Sequence, residues 1–441
     1  MALEYKMAGY LHDFTCIGGA CEDTCCKSWD IRFDKKHYEL LHSAVQQEPG
    51  DESAIFKQYV KVNDAEIRSE RNFALLTLQD NGECPFLLAD GWCQLHKKFD
   101  VAPLSNICAY FPRVLSRYGN TIEMSGALSC PEMVRQCLFS DKTTELSHFS
   151  PSILPRPNDY PLTRELDYPT DEFYYDQFVP VREVLLNLTM LEGFSFSSRL
   201  YFLSSLANRL SSFYHHEADS KNQGQLEKEL KRAMSLSSLD KLDEFVTKYT
   251  AADPVAIIVV QAVLQLRLQN FPGESHSQLV QNILQAYEEQ LSHKGSSTAC
   301  DNISPAEGVW SLFQQQQVTI NKHFELELEN CLSRYLYNCL YREWFVTMPD
   351  PFTYIHMLVI RIAILRFLLY SHPDIIALAK NINSESDINA DVAQLRKEVV
   401  KVIYMNSRAI DHNMNFLRVI YDAINEQQMM TFEYSLPFIK F

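Results

Sequence analysis

Nine of the twelve cysteines fall within the first 137 residues, and two of them, Cys25 and Cys26, are adjacent. Cys16, Cys21, Cys25 and Cys26 form C-x4-C-x3-C-C. Cys84, Cys93 and Cys108 follow as C-P-x7-C-x14-C, then come Cys130-Pro131 and Cys137. Only Cys300, Cys331 and Cys339 lie beyond them. Thiolates are soft, anionic ligands of the kind that zinc and iron–sulfur clusters take. One site uses four ligands, so nine cysteines supply one site with spares, or two sites. Structural zinc usually shows paired C-x2-C or C-x2-H spacings, and only Cys93-x2-His96 has one here. Cys-Pro pairs, adjacent cysteines and wide gaps fit a cluster better. The nearby Trp29, Phe86, Leu87, Leu88, Trp92 and Phe111 would either shield such a cluster from water or simply pack a core.

Disulfides are the weaker explanation. A secretory leader needs an unbroken apolar core, and Lys6, His12, Asp13, Glu22 and Asp23 interrupt every candidate run. The expectation is a cytoplasmic chain, where dense cysteines serve metal binding or catalysis. A bridge between neighbours Cys25 and Cys26 would also be strained.

Other chemistries leave no trace. The common radical S-adenosylmethionine motif C-x3-C-x2-C fails, because Ser28 stands where the third cysteine is required after Cys21 and Cys25. No glycine-rich turn follows a plausible strand, and no G-x4-G-K-[ST] loop is present. His215-His216 lies in a polar stretch, and the 56 acidic residues form no distinctive pair.

The elements that must position the cysteines are short. Residues 84–93 read as a small hairpin turning at Asp90-Gly91. Residues 104–117 read as a short helix carrying Cys108 and interrupted at Pro112. Residues 35–80 read as helical, with a break at 48–50. Five prolines in 150–172 mark a linker or surface strap.

The remainder reads as helix. Leu203, Leu206, Ala207 and Leu210 recur at the spacing of one buried helical face, and Val392, Leu395, Val399 and Val402 repeat a similar pattern. Asp253-Pro254 supplies a cap and a first-turn proline for a helix over 255–268, and 293–304 reads as a long loop. Residues 352–370 approach bilayer-spanning length, but Arg361 and Arg366 make a buried core helix the better reading. A peripheral membrane face is the alternative. The fold class expected is mainly α: a cysteine-rich metal-binding domain of short irregular elements over 1–145, a strap over 146–175, and a large helical domain over 176–441. A net charge of −16 argues against nucleic acid as a partner.

The segments YLHDFTCIGGACEDTCCKSWDI (10–31), CPFL (84–87), CQLH (93–96), ICAYFPR (107–113) and SCPE (129–132) resemble the flagellin lysine N-methylase family. The match covers roughly 5–137, with looser likeness at 337–345 and 407–417. The same cysteine order looks like a divergent form of the small iron- or zinc-chelating proteins that begin C-x2-C-x2-C-C. The resemblance implies transfer of a methyl group from S-adenosylmethionine to lysine ε-amines of flagellin in the cytoplasm. It also implies a [4Fe–4S] cluster held by the N-terminal cysteines, with Cys16, Cys21, Cys25, Cys26, Cys84, Cys93 and Cys108 as the candidate ligands. Tyr10, Tyr110, Tyr118 and Glu123 lie in the motif region, and the sequence assigns none of them a catalytic role. A non-catalytic zinc- or cluster-stabilised binding module is the alternative.

Overall fold

The computed structural model describes residues 3–441 except 28, 30, 49, 168–172, 214–219, 250–253, 271–274, 295–304 and 384–385. Cys300, His215, His216, Asp253 and nearly all of the loop expected over 293–304 therefore lie outside the described residues. The fold is mainly helical. Two compact units divide it, residues 1–168 and 169–441.

The first unit mixes short strands and helices. Its strands are β1 (Glu4–Ala8), β2 (Ile31–Phe33), β3 (Val60–Val62), β4 (Ala74–Leu76), β5 (Arg113–Tyr118), β6 (Thr121–Gly126), β7 (Leu146–His148) and β8 (Arg164–Leu166). Its α-helices are α1 (Lys35–Gln47), α2 (Asp51–Tyr59), α3 (Gln94–Phe99), α4 (Asn106–Tyr110) and α5 (Pro131–Phe139). A five-stranded sheet runs β7-β1-β6-β5-β8, and a three-stranded sheet runs β2-β4-β3. Strand β6 is central and almost wholly buried, paired parallel to β1 and antiparallel to β5.

Several expectations need correcting here. The helix expected to carry Cys108 through 117 stops at Tyr110, and 113–118 is a strand. Pro112 offers no N–H to continue the helix, and Gly119 at φ +51° turns RVLSRY back onto TIEMSG as a hairpin. The helix expected to run on to residue 80 ends at Tyr59, where Val60-Lys61-Val62 buries only Val60 and pairs with β4. The break at 48–50 is present between α1 and α2. The segment expected as a strap contributes two edge strands, β7 on β1 and β8 on β5.

Among its described residues, every regular element of the second unit is a helix. The helix Phe196–Ser211 buries Leu203, Leu206, Ala207 and Leu210 together, as their spacing requires. At the centre runs Pro351–Tyr370, capped by Asp350 accepting from the Thr353 amide. By length and composition it could cross a membrane, yet 94% of its apolar window is buried within the protein. It is a core helix. Its Arg361 is only 5% exposed and meets carboxylates rather than lipid.

Candidate metal centre

Two loops and one short helix bring the thiols together. The Cys84 amide donates to the Cys26 carbonyl at 2.8 Å, and Lys27 bridges Glu83 both through the backbone and by a 2.7 Å ion pair. Residues 84–93 form the expected hairpin. The Leu88 amide donates to the Trp92 carbonyl, the Gly91 amide returns to the Leu88 carbonyl, and Gly91 takes φ +79°. Gly18-Gly19, midway between Cys16 and Cys21, docks on that hairpin tip. A Cβ on Gly18 would stand 2.2 Å from the Trp92 ring, and one on Gly19 would stand 2.0 Å from the Asp90 carbonyl oxygen. Glycine is required at both positions by close approach.

Helix α4 is fixed from the other side. Asp34 caps α1 by accepting from the His37 amide, and its carboxylate also accepts from Asn106 at 2.9 Å. The buried His37 ring reaches Asp34 at 2.7 Å and Asp159 at 3.0 Å. Arg156 donates to Asn106 and, at 3.2 Å, to the Leu104 carbonyl. Ser105 caps α4 and so sets the direction of Cys108.

Cys26, Cys84, Cys93 and Cys108 interact electrostatically in all six of their pairs. The Ser105 hydroxyl oxygen accepts from the Cys108 amide at 3.3 Å and the Thr24 hydroxyl oxygen from the Cys26 amide at 3.2 Å. Burial pushes Cys84 up to about 12, with the like charges of Cys26 and Cys93 adding to it. Burial likewise raises Cys93 and Cys108. The adjacent thiols share a hydrogen bond, which lowers Cys26 to about 7 and raises Cys25. Cys25 and Cys108 keep accessible surface.

Neighbouring thiols are a donor set that a soft cation can bind in place of their protons. Among the described residues, only His372, Asp374 and Glu398 bring three ligand atoms within 4.8 Å of one another. No three thiols approach so closely. Bonds of about 2.3 Å to a tetrahedral zinc would bring its sulfurs closer than that. Around the thiols, Trp29 stacks edge-on against Phe111 at 4.7 Å and donates from Nε1 to the Cys25 carbonyl at 2.7 Å, while Phe86 is fully buried.

The remaining N-terminal cysteines sit elsewhere. Cys16 and Cys21 neighbour Cys130, which the candidate set omitted although its Ser-Cys-Pro-Glu context was visible. Cys137 is fully buried in α5. His96 is exposed and lies 3.6 Å from Asp100, a surface pair. None of the eleven described cysteines is disulfide-bonded. Tyr10 is buried with its hydroxyl accepting from the Gly126 amide at 2.7 Å, and Tyr110 donates to the Arg156 carbonyl at 2.8 Å. Glu123 is buried on β6, and Tyr118 closes β5.

The second unit holds a buried ionic network. Arg361 donates to Glu343 at 2.7 and 3.1 Å and to Asp411 at 2.9 Å. Asp411 also accepts from Tyr335 at 2.8 Å and Ser407 at 2.7 Å. Arg342 pairs with Glu343 and lies 2.9 Å from His412 Nε2. Thus Arg361 ties together 337–345 and 407–417, the two stretches singled out in the sequence. Asp411 ends a π-helical turn, Ser407–Asp411.

Comparison with known proteins returns one family and several relatives. The family described as the FliB lysine N-methylase C-terminal domain matches residues 182–438. The flagellar biosynthetic protein FliU of Salmonella muenchen is 30% identical over 142 residues, 29% of this chain and 73% of that protein. A lysine-N-methylase of Salmonella choleraesuis is 28% identical over 151 residues, and one of Salmonella typhimurium 29% over 147. These matches cover 31% and 30% of this chain and about a third of each lysine-N-methylase, 33% and 32%. No solved structure matches.

Proposed function

Because this chain belongs to the FliB lysine N-methylase family, we propose that it transfers methyl groups from S-adenosylmethionine to lysine ε-amines of flagellin. The proposal places it in the cytoplasm, where its substrate is found before export. The family match across 182–438 carries the reading, and relatives named for lysine methylation and flagellar biosynthesis support it.

The proposal includes a [4Fe–4S] cluster held by Cys26, Cys84, Cys93 and Cys108. Such a cluster supplies an electron-transfer centre or a rigid cross-link between loops. The protein's own contribution is concrete. Backbone around Phe86, Leu95 and His96 and the Ser105 side chain offset part of the burial that holds Cys84, Cys93 and Cys108 as neutral thiols. Trp29 and Phe111 keep water from one side. Lysine must reach the methyl donor as a neutral amine, because an ammonium has no lone pair. The acceptor pocket therefore has to lower the amine's proton affinity by burial or a nearby base.

The test is incubation of the anaerobically purified full chain with flagellin and labelled S-adenosylmethionine. Mass steps of one methylene on flagellin lysines are expected. A cluster-loaded protein that leaves flagellin unchanged would instead mark a cluster-stabilised binding module.

A further inference from the structure

His37 is 1% exposed, and each of its ring nitrogens lies within hydrogen-bond distance of a different carboxylate. Nδ1 stands 2.7 Å from Asp34, and Nε2 stands 3.0 Å from Asp159. An ionised carboxylate only accepts, and a neutral imidazole has a single N–H. Asp34 already accepts from the His37 amide at 3.0 Å and from Asn106 at 2.9 Å, and Asp159 accepts from Lys36 at 2.7 Å. Both are therefore acceptors, and a ring with one proton would turn a lone pair toward one of them. We propose that His37 carries a proton on both ring nitrogens and is a positioning residue for the thiol centre, holding the helix of Cys108 through both carboxylates at once.

Two routes run from that ring to α4. The first is short: the Asp34 oxygen that meets Nδ1 also takes the Asn106 side chain, two residues before Cys108. The second passes through residues 156–159. Three residues before Asp159, the Arg156 guanidinium donates to Asn106 and, at 3.2 Å, to the Leu104 carbonyl. Its main chain grips the far end of α4. The Arg156 amide donates to the Tyr110 hydroxyl at 3.1 Å, and that hydroxyl donates back to the Arg156 carbonyl at 2.8 Å. Cys108 therefore lies between two residues that Arg156 holds, and His37 fastens the segment of Arg156 to α1.

The surrounding charges fit a cation at this position. Asp34 and Asp159 face the ring, while Lys36 and Arg156 are the cations beside Asp159. An enclosed charge is tolerated when it is paired and hydrogen-bonded, and each N–H of the ring has its own carboxylate. A replacement that donates only once would leave one of the two routes to α4 without its bond. Removing an outer group that orients a metal's ligands typically weakens metal binding about 10–100-fold.

The role rests on the reading that Cys26, Cys84, Cys93 and Cys108 bind iron, and one experiment separates the two. The full chain and His37→Gln, both with nitrogen-labelled histidine, are compared by proton–nitrogen correlation, then reconstituted anaerobically with iron and sulfide and challenged with an iron chelator. The ring signals missing from His37→Gln should carry two N–H protons. That variant should retain iron about 10–100-fold less tightly with unchanged helical circular dichroism, because its amide donates to one carboxylate only. Adding Asp159→Asn, which offers a donor to the glutamine oxygen, should restore part of the retention. Where His37→Gln fails to fold, Asp159→Ala at the more exposed end of the contact takes its place, with about tenfold weaker retention expected. A single N–H on the His37 ring, or parent-like retention in both His37→Gln and Asp159→Ala, would overturn the proposal and leave the thiol centre standing. A parent chain that takes up no iron would overturn the thiol centre, and the positioning role with it.

Discussion

The amide of Cys84 donates to the carbonyl of Cys26 across 2.8 Å, so the first cysteine loop and the hairpin share a backbone bond at the thiol centre. The centre is thereby built by main-chain geometry before any side chain rotates. Substitutions that disturb the loop contact should act on metal binding without touching a ligand.

Gly19→Ala tests this. The added Cβ would fall 2.0 Å from a backbone oxygen, which cannot move aside as a flexible side chain would. The expected effect is about 1–3 kcal/mol of destabilisation and weaker iron retention, with all thiols intact. Urea denaturation and iron counts after dialysis check it. Normal retention would show that the two loops are not coupled.

Metal loading should release protons. At neutral pH the raised thiols Cys84, Cys93 and Cys108 are protonated in the empty protein. Affinity therefore rises with pH, about tenfold per unit for each proton displaced. Empty protein has the opposite trend in stability. The folded state holds these protons more tightly, so their contribution is full below the ordinary thiol value of 9.0 and is lost as pH climbs toward 12. Proton release in weak buffer and alkaline unfolding of the empty and loaded forms are the measurements.

Arg361→Met should lower stability by about 3–5 kcal/mol, since it leaves Glu343 and Asp411 buried without their cation. The triple change Arg361→Met, Glu343→Gln and Asp411→Asn should recover part of that loss. Thermal unfolding that is unmoved by the single change would remove the network from the stability of the second unit.

Acid should unfold the second unit through its buried histidines. Burial lowers His412 to about 3, aided by Arg342, and lowers His356 and His276 to about 4. Their contribution is present above the unfolded value of 6.5 and is lost as pH falls through those lower values. Urea midpoints measured from pH 7 to pH 4 should fall, and His356→Gln should flatten the curve. A flat profile for the parent chain would contradict this account.

The long helices were readable because each buries one face continuously. Leu203, Leu206, Ala207 and Leu210 encode a direction as well as a period, and the packing follows it. Arg361 and Arg366 likewise marked Pro351–Tyr370 as core, because charge within an apolar run demands protein partners. The short strands were not readable. Three residues such as Val60-Lys61-Val62 carry too little pattern to outweigh the helix before them, and pairing with β4 decides the matter. The thiol grouping was hidden for a different reason. Spacing reveals ligands that share one turn, as in a knuckle, whereas Cys26, Cys84, Cys93 and Cys108 come from three separate segments. Spacing likewise could not show that Cys16 and Cys21 have Cys130 as a neighbour.

The parallel pairing of β1 with β6 has a consequence for synthesis on the ribosome. Glu4–Ala8 precedes the cysteine loop, and its partner Thr121–Gly126 follows every ligand of the thiol centre. The first cysteines therefore emerge long before the strand that anchors them, and wait as unpaired thiols in an open chain. Only when that later strand has left the tunnel can β1 pair with it. A cluster of the proposed kind would then be seated only after translation has carried β6 to its partner.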